Sequence, residues 1–172
     1  MSRERNQLGK IYQEHYKTGI GVEVGCLRGE FSSFLSTQYK GTILAIDSFV
    51  GEFNMPDDPS TEDKCRKNFE RTNCQLIKGD SIDIASRMPN ESLDWVYIDA
   101  NHSYEAVKAD LEAWFPKVRK GGVISGHDYI KYDKGEVHFG VIKAVDEFCA
   151  KYGYKIEGFF DLGKFASWYI IK

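Results

Sequence analysis

The segment Gly21 to Ser36, GVEVGCLRGEFSSFLS, changes character in its middle, and that change constrains what the whole chain can become. Gly21 to Val24 read as a short β-strand, Gly25-Cys26-Leu27-Arg28-Gly29 as a glycine-bounded turn, and Phe31, Phe34 and Leu35 fall at helical spacing. Strand, turn and helix in this order form the nucleotide-facing corner of a doubly wound α/β sheet. For a dinucleotide the corner is unusual. Leu27 stands where glycine would let the backbone approach a pyrophosphate, and Glu23 puts a carboxylate where phosphate charge would sit. The corner suits a ligand that carries adenosine and positive charge.

The rest of the chain repeats the same grammar. Ahead of the corner, Glu4 to Lys17 read as an amphipathic helix, with Leu8, Ile11, Tyr12 and Tyr16 on the side that packs on the sheet. The unbroken apolar run Ile43 to Ile46, ending at Asp47, is a strand buried on both faces. Gly51 to Thr61 read as a loop and Glu62 to Arg71 as a helix, followed by a strand at Cys74 to Ile77 and a short helix up to Arg87. Leu93 to Ile98 form the fourth strand, Ser103 to Phe115 a helix, and Val123 to Gly126 the fifth strand after the turn at Lys120-Gly121-Gly122. A second loop, Ile130 to Phe139, precedes a helix from Val141 to Tyr152, and Lys155 to Phe159 with Phe165 to Ile171 read as an antiparallel hairpin. The expected fold is α/β: a Rossmann-like, doubly wound, mostly parallel seven-stranded sheet with helices on both faces and a C-terminal hairpin. At 172 residues the chain reads as one domain, 1–172, with residues 1–19 as a helical segment packed on the sheet.

Charge and composition narrow the partners. With a formal charge of −3 and scattered lysines and arginines, neither nucleic acid nor an anionic membrane is the expected partner. The polar start MSRERNQLGKIYQEHYKTG lacks the apolar core of a secretion signal, and no apolar run is long enough to span a bilayer, so a cytoplasmic location is expected. Cys26, Cys65, Cys74 and Cys149 are widely spaced with no CxxC pairing, which reads as four reduced thiols.

Ligands of such sheets bind beyond the carboxyl ends of the strands, which selects a small set of residues. Asp47 lies 22 residues after Gly25, close to the spacing of an acid that accepts from an adenosine ribose, and Ser48 and Phe49 follow it, the phenyl ring placed to stack on a purine. Asp80-Ser81 end the third strand, where they can meet the adenine amine or cap the next helix. The densest polar cluster, Asp99-Ala100-Asn101-His102-Ser103-Tyr104-Glu105, ends the fourth strand, and the fifth delivers His127-Asp128 to the same rim. Carboxylates beside histidines can hold a divalent cation, bind a cationic ligand, or make a histidine a base, and the residues alone leave the three open. His138 reads as an exposed loop residue, His15 as surface, and Arg119-Lys120 as a positively charged helix end.

Taken together, VEVGCLRGEFS, AIDSF, YIDANHSYEAVKADL (97–111), RKGGVISGHDY (119–129) and GVIKAVDEF (140–148) make the chain resemble the class I S-adenosylmethionine-dependent methyltransferases, in particular the small-molecule O-methyltransferase-like group of the methyltransferase family 24 type. The resemblance implies that Glu23, Gly25, Cys26, Leu27 and Gly29 lie along the methionine part of the cofactor, that Asp47 binds its ribose with Ser48 and Phe49 beside it, and that Asp80-Ser81 lie at the adenine. It places Asp99 at both cofactor and reaction centre. Related metal-dependent members hold Mg²⁺ with residues that match Asp99, His127 and Asp128. Asn101 stands where such members carry an acidic base, which shifts the base role to His102. The implied activity is methyl transfer to an oxygen of a small-molecule acceptor, with the alternatives of a non-catalytic cofactor-binding or protein-interaction module and of a nicotinamide-dependent oxidoreductase. Leu27 and Glu23 argue against the last. Acceptor specificity is expected in the loops Val50 to Asp63 and Ile130 to Phe139, and a homodimer would help to cover the cleft of so short a chain.

Overall fold

The computed structural model describes residues 7–50, 58–135, 137–160 and 166–172. Helix α1 (Leu8–Glu14) leads into β1 (Ile20–Val24), α2 (Glu30–Leu35), β2 (Thr42–Asp47), α3 (Ser60–Phe69), β3 (Cys74–Lys78), α4 (Ser81–Arg87), β4 (Leu93–Ile98), α5 (Tyr104–Trp114) and β5 (Val118–Gly126). A two-stranded ribbon, β6 (Asp133–Lys134) and β7 (Val137–His138), precedes α6 (Val141–Tyr152), β8 (Gly158–Phe160) and β9 (Ser167–Ile171). The seven-stranded sheet runs β3-β2-β1-β4-β5-β9-β8, parallel from β3 to β5 and antiparallel in its last two pairings. This is the expected doubly wound sheet with its terminal hairpin. Residues 51–57 of the expected first loop, the first three residues of the expected N-terminal helix and Phe165 lie outside the described residues.

Sequence patterning explains the layers. Every residue of β4, LDWVYI, is buried, as a central parallel strand covered on both faces requires. One face packs Val22, Val24, Val96 and Ile98 against Val107, Leu111 and Trp114 of α5 and Val141, Val145 and Phe148 of α6. On the other face, Leu8, Tyr12, Phe31 and Leu35 from α1 and α2 cover Trp95 and Tyr97. Here the high aromatic content becomes a layer: Tyr12 stacks on Trp95 at 4.2 Å and Tyr39 meets the same indole edge-on at 5.5 Å.

The fold differs from the sequence reading mainly at its lower edge, near the start of β4. There β5 begins at Val118, five residues early, and its register against β4 shifts between Leu93 and Trp95. Arg119 and Lys120 are therefore strand residues, not a helix end. The cause is Asp94, fully buried, whose carboxylate accepts from the amides of Lys17, Thr18 and Gly19, from the Tyr39 hydroxyl and from Arg119 Nε at 2.8 Å. Only a nearby cation and several donors make such burial tolerable. His15 is likewise not a free surface residue: its Nδ1 lies 2.7 Å from the Gly121 carbonyl oxygen, while its own carbonyl accepts from Arg119.

Candidate active site

Strand register builds the site. Val24 pairs with Ile46 and Ile98, and Ile98 pairs with Gly126, so the next residues of each strand, Gly25, Asp47, Asp99 and His127, form one row along the carboxyl edge. The order β2-β1-β4-β5 puts the topological switch point between β1 and β4, at the centre of this row.

At that centre Gly25 has φ +84°, and a Cβ on it would lie 2.3 Å from the Asp99 carbonyl oxygen. Glycine is required by both conformation and space. The turn is then fastened to β2: Gly25 and Cys26 donate to the Ile46 carbonyl at 2.8 and 3.2 Å, and Leu27 donates its amide to Asp47 Oδ2 at 2.7 Å. Asp47 Oδ1 accepts from the Phe49 amide at 2.8 Å, so one carboxylate shapes both loops and still has lone pairs for a ligand. Leu27 is 46% exposed at the mouth of the turn.

The other expected cofactor residues fall into two groups. Ser48 is exposed and Phe49 half-buried against the cluster of Cys26, Ala45, Cys65 and Phe69. Asp80 is exposed at the rim and caps α4, accepting from the amides of Ile82 and Asp83. Glu23 and Ser81 are engaged within the fold. Glu23 is 2% exposed and accepts from the Ser32 hydroxyl, so its charge acts on the turn from beneath. Ser81 donates to Asp110 at 2.5 Å and accepts from the Trp114 indole at 2.8 Å. The four cysteines are free, as read, yet Cys26 and Cys65 touch at 3.8 Å between sulfurs. That contact and burial push the Cys26 thiol pKa up.

Past the Asp99 position the edge becomes a histidine–carboxylate cluster. His102 Nε2 lies 2.7 Å from Asp128 Oδ2 and 3.6 Å from Asp99 Oδ1. His127 Nδ1 lies 3.5 Å from Asp99 Oδ1 and 3.3 Å from Asp128 Oδ1. Burial lowers the His102 pKa, but the hydrogen-bonding capacity and charge of Asp128 and Asp99 outweigh it and raise the value to about 9. Burial alone would raise the Asp128 pKa, yet the two histidines bring it down. Asn101 sits beside the cluster with its side-chain oxygen accepting from the Ser103 amide at 2.8 Å, a local turn that positions His102.

Sequence reasoning missed what holds His102 from the far side. The Phe139 ring packs on the imidazole at 4.6 Å between centroids, and Gly140 donates its amide to the His102 carbonyl at 2.8 Å. The signal was Gly140: a Cβ there would lie 2.3 Å from the Tyr104 amide nitrogen, so the loop must press on the start of α5. His138 is exposed as expected, paired with Asp133 at 2.8 Å. Among the described residues, the ligand atoms that converge within 4.8 Å belong to Asp99, His102 and Asp128. The expected Mg²⁺ does not fit this set. Magnesium requires near-octahedral oxygen coordination, and an imidazole nitrogen stands among the three converging donors.

The comparisons with known proteins bear on the fold and the family. No curated protein matches the chain by sequence. Solved structures share its fold: a Corynebacterium glutamicum protein superposes with TM-score 0.76 at 16% identity, covering 99% of this chain and 81% of that one. A Staphylococcus aureus structure assigned as a caffeoyl-CoA O-methyltransferase gives TM-score 0.70 at 15% identity over 100% and 85%. Aeropyrum pernix fibrillarin, solved with natively bound S-adenosyl-L-methionine, gives 0.64 at 15% over 97% and 76%. The family model described as a methyltransferase domain matches residues 22–129, which run from the opening strand through the Asp128 position. By that match, over more than half its length, the chain belongs to the methyltransferase-domain family.

Proposed function

We propose that this chain binds S-adenosylmethionine at the Gly25 to Gly29 turn and catalyses transfer of its methyl group to an oxygen of a small-molecule acceptor. The observation that carries the reading is the single row of Gly25, Asp47, Asp99 and His127 at the switch point, with His102 and Asp128 at its end. The cradle fits such a cofactor. Gly25, having no side chain, lets the turn pack directly on the Asp99 backbone, and Asp47 keeps acceptor capacity for ribose hydroxyls. The carboxylates of Asp47, Asp80 and Asp99 suit a cationic ligand, and no phosphate needs a glycine at position 27. The bound cofactor supplies an electrophilic methyl group, which leaves orientation and proton removal to the protein.

The chain's own residues divide that work. The Gly25 turn and Asp47 fix the cofactor against β1 and β2, and Asp99 stands at the boundary between cofactor and acceptor. His102, oriented by Asp128 and backed by Phe139, is the group assigned to take the acceptor's proton in its neutral form, so turnover should rise as pH approaches its raised pKa of about 9. Holding acceptor oxygen and methyl donor in line accounts for much of the rate in such a reaction. The Staphylococcus aureus likeness supports oxygen as the acceptor atom, and the charge of −3 supports a small molecule over RNA.

The reading is tested by incubating the protein with methyl-labelled S-adenosylmethionine and a panel of small hydroxylated and amino acceptors, with products identified by mass spectrometry. An O-methylated product supports it. An N-methylated product with none on oxygen contradicts the acceptor assignment, and cofactor binding without transfer to any acceptor would make the chain a binding module.

A further inference from the structure

The Gly25 to Gly29 turn is held from a second side, by a helix that contributes nothing to the row at the carboxyl edge. Three of its five residues have positive φ: Gly25 at +84°, Leu27 at +49° and Gly29 at +70°. Glycine takes such angles freely, whereas leucine keeps one only where its surroundings over-determine it. Asp47, bonded to the Leu27 amide, settles the first half of the turn. The second half is settled by α3. Cys65, Asn68 and Phe69 stand at i, i+3 and i+4 and so share one face of that helix. Cys65 Sγ lies 3.8 Å from Cys26 Sγ, and a Cβ on Gly29 would lie 2.5 Å from the Phe69 ring. Between these contacts Asn68 Nδ2 donates to the Arg28 carbonyl at 2.9 Å, across 40 positions of sequence. Because a peptide unit is planar, that bond also aims the Gly29 N–H, which donates to the Cys26 carbonyl at 2.7 Å.

We infer that Asn68 is a positioning residue for the nucleoside site: through the Arg28 carbonyl it keeps the turn in the conformation that receives the ligand, without touching the ligand itself. Asn68 is exposed in the last turn of α3, so its amide acts on the turn and adds little to the core. Its bond works against the strain at Leu27. If Leu27 left the left-handed region, the following peptide would swing and pull the Arg28 carbonyl from Asn68. Relieving the strain should therefore lessen the need for the bond. The identity of the ligand rests on the methyltransferase reading; the hold of Asn68 on the turn does not.

The test compares the full-length chain with Asn68→Ala and with Asn68→Asp, an isosteric side chain that cannot donate once ionised. In the ligand-free protein, hydrogen exchange at the Leu27 and Gly29 amides should quicken by about two-fold or more in both variants, while the melting temperature moves little. Calorimetric titration with S-adenosylhomocysteine should show a roughly two- to ten-fold loss of affinity, larger in Asn68→Asp, whose carboxylate faces the Arg28 carbonyl oxygen. In a Leu27→Gly background the loss caused by Asn68→Ala should shrink, a coupling that a merely structural residue would not show. Circular dichroism establishes that each variant is folded. Unchanged exchange in the folded variants overturns the inference. So does unchanged affinity where the wild-type chain binds, or an Asn68→Ala loss of equal size in both backgrounds. A wild-type chain that binds no S-adenosylhomocysteine sinks the methyltransferase reading alone, and the exchange measurement then decides the hold of Asn68 on the turn.

Discussion

Gly25 and Asp99 meet where β1 and β4 part: a methyl group on Gly25 would lie 2.3 Å from the Asp99 carbonyl oxygen, at a backbone φ of +84°. The glycine turn after β1 and the carboxyl end of β4 are thus in contact through backbone, and neither can move without the other.

Gly25→Ala therefore strains the turn and pushes Asp99 away. It should cost more than about 1 kcal/mol of stability, because the new residue cannot adopt the native conformation without strain. S-adenosylhomocysteine affinity should fall by a larger factor than thermal stability alone explains. Calorimetry and thermal melts on the same variant check both.

Asp47→Ala removes the acceptor for the Leu27 and Phe49 amides as well as the proposed ribose contact. Hydrogen bonds to a charged group are each worth about 1.5 to 3 kcal/mol, so cofactor affinity should drop roughly ten-fold or more. Asp80→Ala loses a helix cap and an exposed rim carboxylate, and its effect on affinity should be smaller. Equilibrium binding of the two variants side by side tests the order.

His102→Ala should lower turnover by about two orders of magnitude or more while changing S-adenosylhomocysteine affinity little. Single-turnover kinetics beside binding measurements resolve the two effects. Unchanged turnover would remove His102 as the base.

Acid stability reports on the lower edge of the sheet. Burial would raise the Asp94 pKa, but the amides of Lys17 and Thr18, Arg119 and Tyr39 outweigh it and hold the value at about 2, against an ordinary 3.8. A depressed folded-state pKa gives stability that is present above the unfolded value and lost as pH falls through the folded one. The contribution is about 2 kcal/mol, present above pH 3.8 and lost towards about pH 2. Asp94→Asn should lower stability at neutral pH and flatten the acid limb in that window, as urea melts across pH will show.

Much of this was legible in the sequence because parallel strands declare their ends. Apolar runs stop at Asp47 and Asp99, and the glycine turn follows Val24, so the row at the carboxyl edge could be drawn residue by residue. Asp94 could not be placed in the same way. A carboxylate inside an apolar strand is readable only with its partner, and Arg119 reaches it 25 positions away through a register shift. Glu23 was readable in part: as the neighbour of Val22 and Val24 it faces the opposite side of β1, towards α2 and Ser32. The packing of Phe139 on His102 depends on the path of a loop, which no periodicity encodes.

The most direct measurement is calorimetric titration of the wild-type chain with S-adenosylhomocysteine. The account predicts saturable one-to-one binding, weakened in Asp47→Ala. Absence of binding by a folded chain, with S-adenosylmethionine equally silent, would contradict it.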